Sequence, residues 1–186
     1  DATTTQKNTP VQLQDFTEVN KISAGTSHSI AVKTDGTVWS WGLNSSGQLG
    51  DGTTTAKASP VQLSSISDVV KVSAGGTHSL ALKTDGTVYG WGTNTNGQLG
   101  NGTTTNSNIP VQVSGITNIV DIAAGDNFSM ALKDDGTVYS WGQNDSGQLG
   151  DGTTVNKTSP GVVTGIASAV SVKAGKAFAL VLKTDG

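Results

Sequence analysis

Two histidines, His28 and His78, stand fifty residues apart, each followed by a serine (Ser29, Ser79) and, further on, by an aspartate (Asp35, Asp85). Such residue types can make a nucleophile with its base, or a metal site, when the fold gathers them. The sequence itself argues against both. The histidine position is taken by Phe128 and Phe178 in two later copies of the same phrase, and a ligand or general base cannot lose its lone pair at equivalent sites. Ser29, Ser79 and Ser129 carry no nucleophile-elbow phrase and no recurring third partner. Asp35, Asp85, Asp135 and Asp185 each precede a glycine, and Glu18 is the only glutamate, so no carboxylate pair is poised for acid–base work. No catalytic, cofactor-binding or metal-ligating residue is assigned, no cofactor is expected, and the chain is read as a non-enzyme.

The phrase GQLGDGTTT at 47–55 returns as GQLGNGTTT at 97–105 and GQLGDGTTV at 147–155. A glycine-rich loop can cradle phosphate, but this one lacks the Gly-Lys-Ser/Thr ending and no helix follows. NDSGQLGDG at 144–152 invites a calcium reading, yet NSSGQLGDG and NTNGQLGNG vary the acids that would coordinate, and no closing glutamate follows. The phrase is therefore read as architecture.

Composition narrows the remaining classes. The 186 residues carry 25 glycines, no cysteine and a net charge of −3. Without a basic block, nucleic acid and anionic membranes are not expected partners, and without cysteine there are no disulfides or thiolate sites. No apolar run approaches a membrane-spanning length.

The positioning elements form a repeat. SAGTSHSIAVKTDGTVWSWG, SAGGTHSLALKTDGTVYGWG and AAGDNFSMALKDDGTVYSWG begin at residues 23, 73 and 123, and KAGKAFALVLKTDG begins at 173, a period of 50. The chain is read as a single array over 1–186 of about 3.7 repeats, in units of roughly 1–50, 51–100, 101–150 and 151–186. Within a unit the alternation has period two, as in HSLALK and TVYGWG, which predicts strands and no helix. Asp-Gly at 35–36, 85–86, 135–136 and 185–186 predicts a tight hairpin turn with both residues at positive φ. Pro10, Pro60, Pro110 and Pro160 each open a short run read as an edge strand. The fold class is all-β: propeller blades of four-stranded antiparallel sheets, in an incomplete ring of just under four blades.

The ordered phrase AGxxHSxALKTDGTVYxWGxNxxGQLG resembles the repeat of the regulator of chromosome condensation family, and the likeness covers nearly the whole chain. That resemblance implies a β-propeller, usually of seven blades. It places Gly25, Gly75, Gly125 and Gly175 at the ends of crowded inner strands, Trp41, Trp91 and Trp141 between blades, and Gly47, Leu49 and Gly50 in a compact loop at a blade edge. Related propellers include a GTPase exchange factor acting through an inserted wedge and a protein inhibitor of β-lactamase. The uninterrupted period here gives no wedge.

A ring of under four blades leaves two faces open, and three arrangements are available: two copies completing a ring, an aggregation-prone arc, or a small closed ring. The first is expected, so the chain itself is the leading partner, as a homodimer, with a further protein partner unidentified. The expected function is a structural or protein-interaction module, with partner choice written in Thr26/Ser27, Gly76/Thr77, Asp126/Asn127 and Lys176/Ala177. The alternatives are an enzyme-regulating or inhibitory binder and a recently amplified or engineered repeat fragment without its own ligand. The start at Asp1 and the stop at Gly186 inside a hairpin suggest an excised segment. The Thr/Asn/Ser/Gly-rich composition resembles that of bacterial secreted or cell-surface proteins.

Overall fold

The computed structural model describes residues 3–186, which contain fourteen strands and no helix. β1 (Val19–Ala24), β2 (His28–Lys33), β3 (Val38–Gly42) and β4 (Lys57–Gln62) form the first sheet, in that order, all antiparallel. β5 (Val69–Ala74), β6 (His78–Lys83), β7 (Val88–Gly92) and β8 (Ser107–Gln112) form the second. β9 (Ile119–Ala124), β10 (Phe128–Lys133), β11 (Val138–Gly142) and β12 (Lys157–Val162) form the third, and β13 (Ala169–Ala174) with β14 (Ala179–Lys183) form a two-stranded fourth. These are propeller blades in an unclosed ring. Each complete sheet takes its outermost strand from beyond the Gly-Gln-Leu-Gly phrase, so a sheet straddles two sequence repeats.

The Asp-Gly turn differs from the expected two-residue form. Gly36 N–H reaches the Lys33 carbonyl at 3.0 Å and Lys33 N–H reaches the Thr37 carbonyl at 3.0 Å, with only Gly36 at positive φ, +80°. This is the longer hairpin connection that ends on a left-handed glycine. Asp35 contributes its carboxylate, which accepts from Thr37 N–H at 2.9 Å and from Thr37 Oγ1 at 2.7 Å. Those bonds hold the Asp35 carboxyl below the usual range.

The prolines are also displaced from expectation. Pro60, Pro110 and Pro160 fall fourth in β4, β8 and β12 rather than first; these are the outermost strands, where a missing N–H is tolerated. Pro10 lies in no strand. The strands holding its counterparts pair with the third strand of their sheet, and among the described residues no such strand stands beside residues 8–12.

Between sheets the alternation of strand faces builds three apolar joints. Ile30, Val32 and Val38 of the first sheet meet Val69, Val72, Ala81 and Trp91 of the second, with Leu63 and Ile66 from the connection closing the layer. Leu80, Leu82 and Val88 meet Ile119, Ile122, Ala131 and Trp141, and Met130, Leu132 and Val138 meet Ala169 and Val172. One buried polar group interrupts the inner strands. Asp121, at the position of Lys21, Lys71 and Ser171, pairs with Lys71 across the second joint. Across the third it accepts from Ser171 Oγ and Val172 N–H, both at 3.3 Å. Asp121→Ala is expected to destabilise the protein by about 2–3 kcal/mol, because a mostly buried ammonium and a buried N–H lose their acceptor. Urea denaturation at pH 7 measures this, and Lys21→Ala, which removes only a like charge near Lys71, serves as its comparison.

Candidate functional site

The residues first considered for chemistry are brought together, but across joints rather than within a sheet. His28 Nε2 lies 2.8 Å from Ser79 Oγ of the next sheet, and His78 Nε2 lies 3.0 Å from Ser129 Oγ. Ser79 Oγ donates its proton to the Gln48 carbonyl at 2.9 Å, and Ser129 Oγ donates to the Gln98 carbonyl at 2.8 Å. Each hydroxyl has one proton to give, so each histidine must be the donor: the proton sits on Nε2, and Nδ1 carries the lone pair. Both Nδ1 atoms are buried without a hydrogen-bond partner. Burial pushes His28 down to about 4, and burial with the neighbouring His28 pushes His78 down to about 3. Both rings are neutral at pH 7, locked as joint pins. At the third joint Phe128 replaces the ring and Ala179 replaces the serine, which removes the donor and acceptor together.

The aspartates after the serines do not approach these rings; they stay in their turns. Gly25, Gly75 and Gly125 lie just beyond the inner strands, as expected for crowded positions. A Cβ on Gly25 would collide with the Gly75 carbonyl, and one on Gly75 would stand 2.5 Å from the Gly125 carbonyl. Trp91 and Trp141 are buried between sheets. Trp41 is only half-buried, its outer side meeting Phe16 edge-on at 5.7 Å between ring centroids.

The Gly-Gln-Leu-Gly loop is organised by a residue that sequence reasoning passed over. Asn44 takes Leu49 N–H on its Oδ1 at 2.9 Å, while its Nδ2 faces Asp51 Oδ1 at 3.2 Å and the Thr53 and Thr55 carbonyls at 3.1 Å each. Asn94 and Asn144 repeat the arrangement. The signal was present as an invariant asparagine two residues after each Trp-Gly. An amide thus stands at the centre of the oxygens that a calcium reading would have used. Lys157 sits 2.6 Å from Asp151 in the 144–152 segment and holds its carboxyl well below the usual range. Among the described residues no group of three or more His, Cys, Asp or Glu is placed to hold a metal ion.

Three surfaces remain for recognition. The alanine-glycine corners converge on the axis, where Thr26, Gly76, Asp126 and Lys176 ring an opening of about 440 Å³. Equivalent corners there display a hydroxyl, a bare glycine, a carboxylate and an ammonium. The forward face of the fourth sheet exposes Phe178, Leu180 and Leu182 at 57%, 62% and 53%. The rear face of the first sheet exposes Ile22 at 76%, beside an apolar cleft of about 420 Å³ lined by Leu13, Phe16, Ile22, Ile30 and Trp41.

Comparison with known proteins follows this architecture. Residues 1–181 match the RCC1-like domain. A stretch of 47 residues is 38% identical to the regulator of chromosome condensation of Xenopus laevis, covering 25% of this chain and 11% of that protein. Prp20p of Saccharomyces cerevisiae, whose structure was described with its binding properties to Gsp1p and histones, superposes with a TM-score of 0.79 at 24% identity over 90% of this chain and 45% of that one. Human WBSCR16 superposes with a TM-score of 0.67 at 23% identity, over 94% and 60%. The chain thus spans less than half the length of the yeast protein.

Proposed function

Since the chain belongs to the RCC1-like domain family, we propose that it works as a non-catalytic protein-interaction module whose two end faces join copies of the chain into a ring. The observation carrying this reading is the match between those faces. Leu180 and Leu182 are the counterparts of Leu80 and Leu82, which are buried against the next sheet, and Ile22 and Trp41 are the counterparts of the Ile122 and Trp141 that receive them. A second copy brought head to tail offers the same apolar pairing. The contact is heterologous, and two such joints close a dimer. The four axial corners then face a protein partner, with Asp126 and Lys176 supplying charge on an otherwise neutral rim.

Light scattering on the eluting protein tests the reading. The wild type is expected at twice the chain mass, while Leu182→Asp and Ile22→Asp are each expected at the chain mass. An equimolar mixture of the two variants retains one intact joint, between the unmodified tail of one and the unmodified head of the other, and is expected to recover a dimer of reduced affinity. A wild type that stays at the chain mass at millimolar concentration overturns self-association and leaves the partner-binding reading to the axial corners.

A further inference from the structure

The sequence holds two Asn-Gly pairs, Asn96-Gly97 and Asn101-Gly102, both in the loop between β7 and β8. At such a pair the glycine main-chain nitrogen can attack the asparagine side-chain carbonyl, because no Cβ hinders the approach. The fold treats the two pairs differently. Gly97 is buried, and a Cβ there would stand 2.6 Å from Thr158 Cα and 2.7 Å from the Lys157 carbonyl. The next residue is Gln98, whose carbonyl is pinned by Ser129 Oγ at 2.8 Å and by Trp141 Nε1 at 2.9 Å. Turning Gly97 would unseat that joint. Gly102 is exposed, the nearest atom to a Cβ there being Ser159 Oγ at 3.7 Å, and its N–H is given to the Thr158 carbonyl at 2.9 Å.

The side chain of Asn101 is held by its carbonyl oxygen. Oδ1 accepts from Thr103 Oγ1 at 2.8 Å, from Thr103 N–H at 3.2 Å and from Asn94 Nδ2 at 3.3 Å. These donors draw electrons from Cγ, and they stabilise the negative charge that grows on Oδ1 when a nitrogen adds. Asp51 and Asp151 receive the same three donors in the loops after β3 and β11. There the second carboxylate oxygen faces Lys57 at 3.6 Å and Lys157 at 2.6 Å, whereas Ser107 takes the place of the lysine in β8. The loop between β7 and β8 is thus a carboxylate cradle that holds an amide.

We propose that Asn101 is a site of spontaneous deamidation, at which water replaces ammonia and gives this loop the carboxylate that Asp51 and Asp151 supply to its two counterparts. The Gly102 nitrogen gives up its proton to solvent and bonds to Asn101 Cγ; Nδ2 gains a proton and leaves as ammonia, closing a succinimide. Water then opens the ring. Breaking the new bond between nitrogen and Cγ yields aspartate with an ordinary backbone, and breaking the bond to the main-chain carbonyl yields isoaspartate. The aspartate falls among donors already in place, which hold a charged acceptor more strongly than a neutral one. All of these residues lie in one loop and the strands beside it, so the reaction is the same whatever stands at the two end faces.

Mass spectrometry of the tryptic peptide spanning residues 84–133 follows the folded wild type through prolonged incubation at pH 8, its fragment ions separating position 96 from position 101. Acid is expected to accumulate at 101 at least about tenfold faster than at 96. In urea, where the joint is gone, the two positions are expected to convert at similar rates. Equal rates in the folded protein, or an unchanged Asn101 after a time in which the unfolded chain has converted, overturns the site. Asn101→Asp stands for the ordinary product, and its urea midpoint at pH 7 is expected to match or exceed that of the wild type. A lower midpoint overturns the cradle.

Discussion

Acidification from pH 6.5 towards pH 5 is expected to destabilise the protein steeply. In the unfolded chain both histidines take up a proton near 6.5, whereas in the fold His28 holds off until about 4 and His78 until about 3. Over that window the unfolded state binds more protons, so stability rises with pH and is lost as pH falls. Each histidine contributes about 1.4 kcal/mol per pH unit, or roughly 3 kcal/mol in all for His28 and somewhat more for His78. Protonation finds little relief: both Nδ1 atoms are buried without a hydrogen-bond partner, and the Asp126 backbone beside His78 offsets the effect of burial only in part. The third joint suggests the control, since Phe128 with Ala179 does without the pair. Introducing His28→Phe with Ser79→Ala, and His78→Phe with Ser129→Ala, is expected to flatten the dependence between pH 5 and 6.5. Urea midpoints at pH 7, 6 and 5 measure it, and a wild-type midpoint that does not move over this range would contradict the depressed titration of the two buried rings.

Trp91→Ala is expected to cost about 3–5 kcal/mol, and Trp41→Ala only about 1 kcal/mol. The two side chains occupy equivalent places in successive repeats, so the difference isolates the joint. Trp91 is buried between sheets, donates to the Gln48 carbonyl and supports Gly50 against its ring. Its removal opens a cavity and strips one of the two donors from a buried carbonyl. Trp41 is covered only in part, by Phe16, and among the described residues its indole N–H has no hydrogen-bond partner to lose. Denaturant midpoints of the two variants at low protein concentration, where copies do not associate, make the comparison. Equal losses would mean that the joint adds nothing to what a tryptophan contributes within its own sheet.

The architecture was legible because the 50-residue repeat and the strict alternation within HSLALK and TVYGWG state the same thing at two scales. Four-stranded antiparallel sheets, the burial of Trp91 and Trp141 and the crowded glycines followed from that, whereas the proline run, read with the strands after it, belongs to the sheet before it. The hairpin was misjudged because Asp-Gly fits two turn types, and what decides between them is Thr37, whose N–H and hydroxyl both bind Asp35. Pro10 was given a strand because local pattern cannot say whether a neighbouring strand exists. The joint pins were hidden for a different reason. His28 to Ser79, Ser79 to Gln48 and Trp91 to Gln48 span 51, 31 and 43 residues, and only the registration of one sheet on the next reveals that these separations converge. The swap of His28 for Phe128 suggested that an aromatic body alone mattered; the accompanying change from Ser79 to Ala179 is what makes that substitution harmless.

Because every complete sheet draws its outermost strand from past the repeated glycine loop, the visible seam at residues 50–51 is a poor place to cut. Shears applied there would sever β4 from β3 and strand Asn44 without the threonines it gathers. A natural duplication or an engineered graft keeps each blade whole when it exchanges cassettes between residues 63–68 and 113–118, in the connections between one sheet and the next.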